Sequence, residues 1–218
     1  MKNSVKVFGA PLLLASLPVF AADGDIVATA AYRWHGDTIY QAEYMATAPS
    51  EYEIVSTYSA QPGYGFPISK QWKLKNDISR YPRLTTPNRL HAAIYNMGLD
   101  EMVNAVEPDT TLRTGKEWAG VWTRDVSYSI LLSMAYMQPE ASRISLMKKV
   151  SPEGVIIQDT GSGGAWPISS DREIWVLAAY EVYKVTGDRK WLEYIYPVIR
   201  KSLDDDALTV ATPHGLVK

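Results

Sequence analysis

Apolar and polar positions along the chain follow a strand-like rhythm at first and a helical one later. From Ala22 to about Lys75 the texture is β-like and loop-rich. Asp25 to Tyr32 is apolar and β-branched, Thr38 to Tyr44 alternates, and Glu51 to Tyr58 has strand composition. The stretch Pro62-Gly63-Tyr64-Gly65-Phe66-Pro67 breaks any periodicity and predicts a turn or extended loop. After Pro87 the spacing becomes helical: Leu90, Ile94, Met97, Met102 and Val106 recur at three- to five-residue steps, with Asn88 as N-cap and Pro108 as stop. Further helices are predicted over residues 124–137, 140–149, 171–186 and 191–203, the last with Pro197 as a kink or break. On 171–186 the mostly apolar face reads as Ile174, Leu177, Ala178, Tyr180, Glu181 and Val185. Gly187 closes that helix and Asp188 opens the next.

These helices arrive in pairs separated by irregular loops that carry Gly and Trp, notably Asp109 to Trp122 and Val150 to Pro167. Helical hairpins joined by long loops are therefore expected, and such loops on a rigid scaffold often carry function. The domain organisation expected is a signal peptide over 1–21, a β-rich region over 22–80 and a helical domain over 81–218. Lys2 and Lys6 precede the apolar run from Val7 to Phe20, and Val19-Phe20-Ala21 sets small or tolerated residues ahead of a cut after Ala21. That run is too short to span a bilayer comfortably, so the expected location is secreted or periplasmic, with no membrane span.

Composition narrows the chemistry further. The formal net charge of the chain is −2, and removal of Lys2 and Lys6 makes it more acidic, which argues against nucleic acid as a partner. There is no cysteine, so disulfides and thiolate metal sites are excluded. The histidines His35, His91 and His214 lie far apart in the chain and read as surface or packing residues rather than metal ligands or triad members. No metal and no cofactor is expected. Gly161, Gly163 and Gly164 form a flexible stretch without the Lys-Ser/Thr order of a phosphate loop.

The stretch most suited to a site is Gly115 to Ser129, with Trp118, Trp122, an Arg124-Asp125 pair and hydroxyl residues ahead of the apolar run from Ile130 to Met137. Aromatic faces cover the C–H side of a pyranose, and charged, forked groups take up its hydroxyls. The same residues also fit a core pair, Trp118 with Trp122, and a solvated helix start at Arg124-Asp125. Asp159 and Asp171 fit either hydroxyl binding or a helix cap and loop anchor. The aromatics Trp34, Tyr40, Tyr44, Tyr52 and Tyr58 of the β-rich region fit either a carbohydrate surface or strand packing.

Glu117-Trp118-Ala119-Gly120-Val121-Trp122-Thr123-Arg124-Asp125, then Gln158-Asp159-Thr160-Gly161-Ser162-Gly163-Gly164-Ala165-Trp166-Pro167 and Ser170-Asp171-Arg172-Glu173-Ile174-Trp175, resemble the six-hairpin glycosidases over roughly residues 82–206. These are (α/α)6-barrel enzymes related to glucoamylases and amylo-α-1,6-glucosidases. The resemblance implies a mainly α fold, an incomplete (α/α)6 toroid of helical hairpins preceded by a small β-rich N-terminal region. It also implies inverting, exo-acting hydrolysis of an α-linked oligo- or polysaccharide, which takes two separated carboxyl groups. On that footing Asp125 is the catalytic acid or holds the sugar in the innermost subsite. Arg124 orients Asp125 or holds a hydroxyl, Trp122 and Trp166 wall the pocket, and Asp159 and Asp171 bind hydroxyls. The further carboxylate expected of the family has no counterpart in the chain, so an N-terminal part of a longer enzyme, inactive by itself, is expected. A secreted carbohydrate-binding protein without catalysis is the alternative.

Overall fold

A computed structural model describes residues 24–58, 70–159, 170–209 and 212–214. Contacts divide the chain into two compact units: one holds the sheet with residues 83–97, the other holds residues 76–82 and those from Gly98 onward.

In the first unit, β1 (Asp25–Ala28), β2 (Arg33–His35), β3 (Thr38–Gln41), β4 (Tyr44–Ser50), β5 (Glu53–Ser56) and β6 (Gln71–Lys73) form an antiparallel meander in chain order. The stretch expected as one strand from Asp25 to Tyr32 is cut short at Thr29, whose hydroxyl closes a turn with Tyr32. β4 is the longest strand, and a register shift between Thr47 and Ser50 accommodates Pro49, which cannot donate to a ladder. Trp34, Ile39, Ile54 and Trp72 pack against Ala48 and against Leu90 and Ala93 of α1 (Arg89–Asn104). Asn88 does cap that helix, its Oδ1 accepting the His91 N–H at 2.9 Å. Asp37 accepts both the backbone N–H and the Nε–H of Arg89 at 2.7 Å each. His91 meets Trp34 edge-on, and His35 pairs with Asp25.

The second unit holds α2 (Thr123–Ser129), a π-helical turn (Ile130–Met134), α3 (Ala135–Met137), α4 (Pro139–Lys148), α5 (Asp171–Thr186) and α6 (Arg189–Thr209). The first three run on as one helical rod, with Ile130 and Met134 both buried. Gly187 (φ 65°) supplies the left-handed turn that ends α5, and the Asp188 carboxylate caps α6 through the N–H groups of Lys190 and Trp191. α6 continues unbroken through Pro197, which is exposed.

This arrangement corrects the expected fold. The β-rich N-terminal region is present, but among the described residues no (α/α)6 toroid is shown. In a toroid every helix flanks its neighbours around a hollow axis. Here α5 is central and packs against α2, the π turn, α3, α4 and α6. Its buried side carries Ile174, Trp175, Ala178, Ala179 and Val182. The small Ala178 and Ala179 let neighbouring helices approach closely, so the core is filled where a toroid would be hollow. Of the expected apolar face, Ile174, Ala178 and Glu181 are buried and Val185 packs against the core, whereas Leu177 is 52% exposed and Tyr180 lies outside as well. Among the described residues no helix is long and apolar enough to cross a membrane.

Candidate functional site

The site is built at the start of α2. Trp122 is the N-cap residue, extended at φ −101° and ψ 129°, with no side-chain oxygen to offer the first turn. The unpaired N–H of Thr123 is taken instead by the carboxylate of Asp159, from the loop after α4. The Thr123 hydroxyl donates to the Ile157 carbonyl at 2.8 Å, a second tie to the same loop. On the other side, the Trp122 N–H donates to Thr114 Oγ1 at 3.1 Å, and Thr114 Oγ1 donates to the Gly120 carbonyl at 3.0 Å. Arg113 stiffens this loop by donating to the carbonyls of Gly115 and Lys116 at 2.9 and 2.8 Å.

Asp171, in the first turn of α5 and 1% exposed at its side chain, holds the two halves of the site together. Its Oδ2 accepts the Asp159 N–H at 2.7 Å and its Oδ1 accepts Arg124 at 3.2 Å. Lys149, 12% exposed, completes the frame with a 2.6 Å ion pair to Asp159. Burial of Asp159 works to raise its pKa. The Lys149 ammonium and the Thr123 N–H and hydroxyl outweigh it and hold the carboxyl below its ordinary value.

Of the residues expected to form the site, Trp122, Arg124, Asp125, Asp159 and Asp171 do gather at this junction, and Trp166 lies outside the described residues. Arg124 pairs with Asp171 rather than orienting Asp125. Asp159 and Asp171 serve as loop and helix anchors. Trp118 is 55% exposed, so a buried Trp118–Trp122 pair does not form. Asp125 itself is exposed, and its carboxylate has no hydrogen-bond partner among the described residues. Thr123 and Lys149 are the functional neighbours that sequence reasoning missed. Lys149 reads as a cation complementing the C-terminus of α4, and nothing in the spacing says that it reaches Asp159 ten residues on. Among the described residues no group of three or more His, Asp or Glu is placed to hold a metal ion. No protein-family model, curated protein or solved structure matches the chain.

The junction therefore presents a rigid rim. A free carboxylate and a partly exposed indole stand on a helix start held by two buried or half-buried aspartates. Such a rim can accept hydrogen bonds from a polyol and offer an aromatic face to its carbon skeleton.

Proposed function

We propose that the chain carries the sugar-facing part of a glycoside hydrolase, inverting and exo-acting on an α-linked oligo- or polysaccharide, with Asp125 as its catalytic carboxylate. The observation that carries this reading is the contrast among the three aspartates. Asp159 and Asp171 are committed to ion pairs and backbone N–H groups, while Asp125 stays exposed and unengaged beside Trp122. The motif resemblance from Glu117 to Trp175 supports the same assignment. Inversion places a second carboxyl about 6.5–9.5 Å from the first to leave room for water. Asp159 and Asp171 are poor candidates for it, since a group locked in an ion pair moves protons badly, so the reaction takes its second carboxylate from elsewhere. The signal peptide expected over residues 1–21 fits a polysaccharide substrate met outside the cytoplasm.

The test compares the longer enzyme that supplies the second carboxylate with its Asp125→Asn variant on aryl α-glucosides and maltooligosaccharides. A catalytic Asp125 predicts loss of turnover by about 10²–10⁴-fold, with maltotriose affinity changed only a few-fold and a β-configured product in the unsubstituted enzyme. Unchanged turnover in the variant would sink the assignment. A second reading, a carbohydrate-binding protein without catalysis, is favoured by the structural commitment of Asp159 and Asp171. It predicts no turnover in either form and loss of affinity in Asp125→Asn.

A further inference from the structure

The sheet of the first unit uses one face in two ways. Strand alternation and register put Trp34, Ile39, Gln41, Tyr44, Ala46 and Ser56 on the same side: Trp34 pairs with Ile39, Ile39 with Ala46, Gln41 with Tyr44, and Ala46 with Ser56. Part of this face is covered by Leu90 and Ala93 of α1, and there it is Trp, Ile and Ala. Outside that contact the residues change character. Tyr32, Tyr44 and Tyr58 wall a cleft of about 250 Å³ over Ile39, with Gln41 and Ser56 at its polar positions.

The walls are ordered. The Tyr44 and Tyr58 rings meet edge to face, 5.2 Å apart at 68°. Ser56 Oγ accepts the Tyr58 N–H at 3.1 Å, which keeps its own O–H for another acceptor. Gln41 is exposed, and its amide has no partner among the described residues. No Lys or Arg lines the cleft, so an anion is not the natural occupant. Tyrosine walls with a neutral amide and hydroxyl suit a ligand that is apolar on its faces and hydroxylated around its edge. Pockets for drug-sized ligands run about 300–1,000 Å³, so this one is sized for a single ring.

We propose that this cleft is a second, non-catalytic carbohydrate subsite that takes one pyranose residue of an α-linked glucan, its ring against Tyr44 and Tyr58 and its hydroxyls on Gln41 and Ser56. The choice of an α-linked glucan rests on the hydrolase reading above; the cleft and its chemistry do not. An aromatic, aliphatic-floored cleft could also seat a proline-rich peptide, and the Gln41 and Ser56 groups favour the sugar.

Full-length protein is titrated with maltotriose and followed by isothermal calorimetry and saturation-transfer NMR, with circular dichroism as the check on folding. A weak site is expected that persists in Asp125→Asn and loses about tenfold in affinity in Tyr58→Ala, the size of one aromatic contact. Gln41→Ala removes an exposed side chain and cannot disturb the core; it is expected to weaken the same site several-fold. Maltotriose binding unchanged in both cleft variants overturns the subsite and leaves the hydrolase reading untouched; binding abolished by Asp125→Asn alone overturns the subsite and counts against the hydrolase reading as well. Binding lost in Tyr58→Ala and Gln41→Ala, with no turnover even in the longer enzyme that supplies the second carboxylate, keeps the subsite and rejects the hydrolase. A decaproline peptide that shifts the Tyr58 and Gln41 resonances where maltotriose does not also overturns it.

Discussion

The first turn of α2 begins after a tryptophan, and tryptophan has no oxygen for the N–H groups that a helix start leaves unpaired. Asp159 supplies that oxygen from 36 residues away in the chain, so a capping role and a candidate site role fall on the same carboxylate. The sequence shows Asp159 and Asp171 as acids near loop-to-helix junctions, and it cannot show which acid is engaged and which is free, because that depends on a fold-level meeting of Lys149, Thr123 and Arg124. Asp159→Asn is expected to cost about 2 kcal/mol at pH 7, since it weakens a charge-assisted hydrogen bond and leaves Lys149 without its counter-charge in a half-buried place. The Asp159 carboxyl sits below its ordinary value of 3.8 in the folded protein. Its stabilisation is thus fully present above that value and is lost as pH falls through the lowered one. Urea unfolding between pH 6 and 2 should show a shallower acid loss in the variant than in the unsubstituted protein; parallel curves would reject the role. Thr110 is a simpler case. It is β-branched, exposed and held at φ 64°, a region that costs a non-glycine residue about 1–2 kcal/mol. Thr110→Gly should raise stability by about 0.5–1 kcal/mol after glycine's own entropic cost, read as a higher urea midpoint.

Element boundaries were more legible than element faces. Asn88 and Pro139 mark the starts of α1 and α4, and Gly187 and Asp188 the end of α5 and the start of α6, by local chemistry, whereas α6 runs on to Thr209, past its expected end at Leu203. β4 was hidden because Ala46, Ala48 and Pro49 are poor strand formers by composition, and tertiary packing of Ala48 under α1 decides the matter. The π turn was hidden because a 3.6-residue period accommodates Ile130 and Met134 equally well. The face of α5 was read correctly at Ile174, Ala178 and Glu181 and misread at Leu177 and Tyr180, which are exposed, while the charged Asp171 and Arg172, which an apolar count passes over, are buried with partners. The misreading at Leu177 is testable by mutation. Trp175 is fully buried, and its indole N–H donates to the Leu146 carbonyl at 3.0 Å. Trp175→Ala should cost about 3–5 kcal/mol, whereas Leu177→Ala should stay within about 0.5 kcal/mol. Denaturant midpoints decide it, and comparable losses at the two positions would restore the original face.

At the scale of the whole molecule, local signals place helices along the chain but do not say around what they close. Hairpin spacing is compatible with a ring and with a filled bundle alike, and the choice falls to α5 and to what grips its first turn. Arg172, buried beside Asp171, donates its Nε–H to the Ile156 carbonyl at 3.1 Å. Its Nη1 reaches the Ser202 carbonyl at 3.2 Å, Asp205 at 2.9 Å and Asp206. One guanidinium thereby joins the start of α5, the loop after α4 and the last turns of α6, a fork that a point-charge ammonium cannot reproduce. Asp205 and Asp206 read in sequence as part of an acidic run trailing off a helix; their partner 33 and 34 residues upstream gives them a structural task. Arg172→Met should destabilise the helical unit by about 3–5 kcal/mol, because Asp206 is left as a largely buried charge without its partner. Arg172→Lys should recover only part of that. Adding Asp206→Leu to Arg172→Met should return a measurable share of the loss, since removing both charges leaves no orphan. The double-mutant cycle is read from urea midpoints, with amide hydrogen exchange over residues 198–209 as the local probe. Additive losses with unchanged exchange there would mean that the bundle closes without this grip.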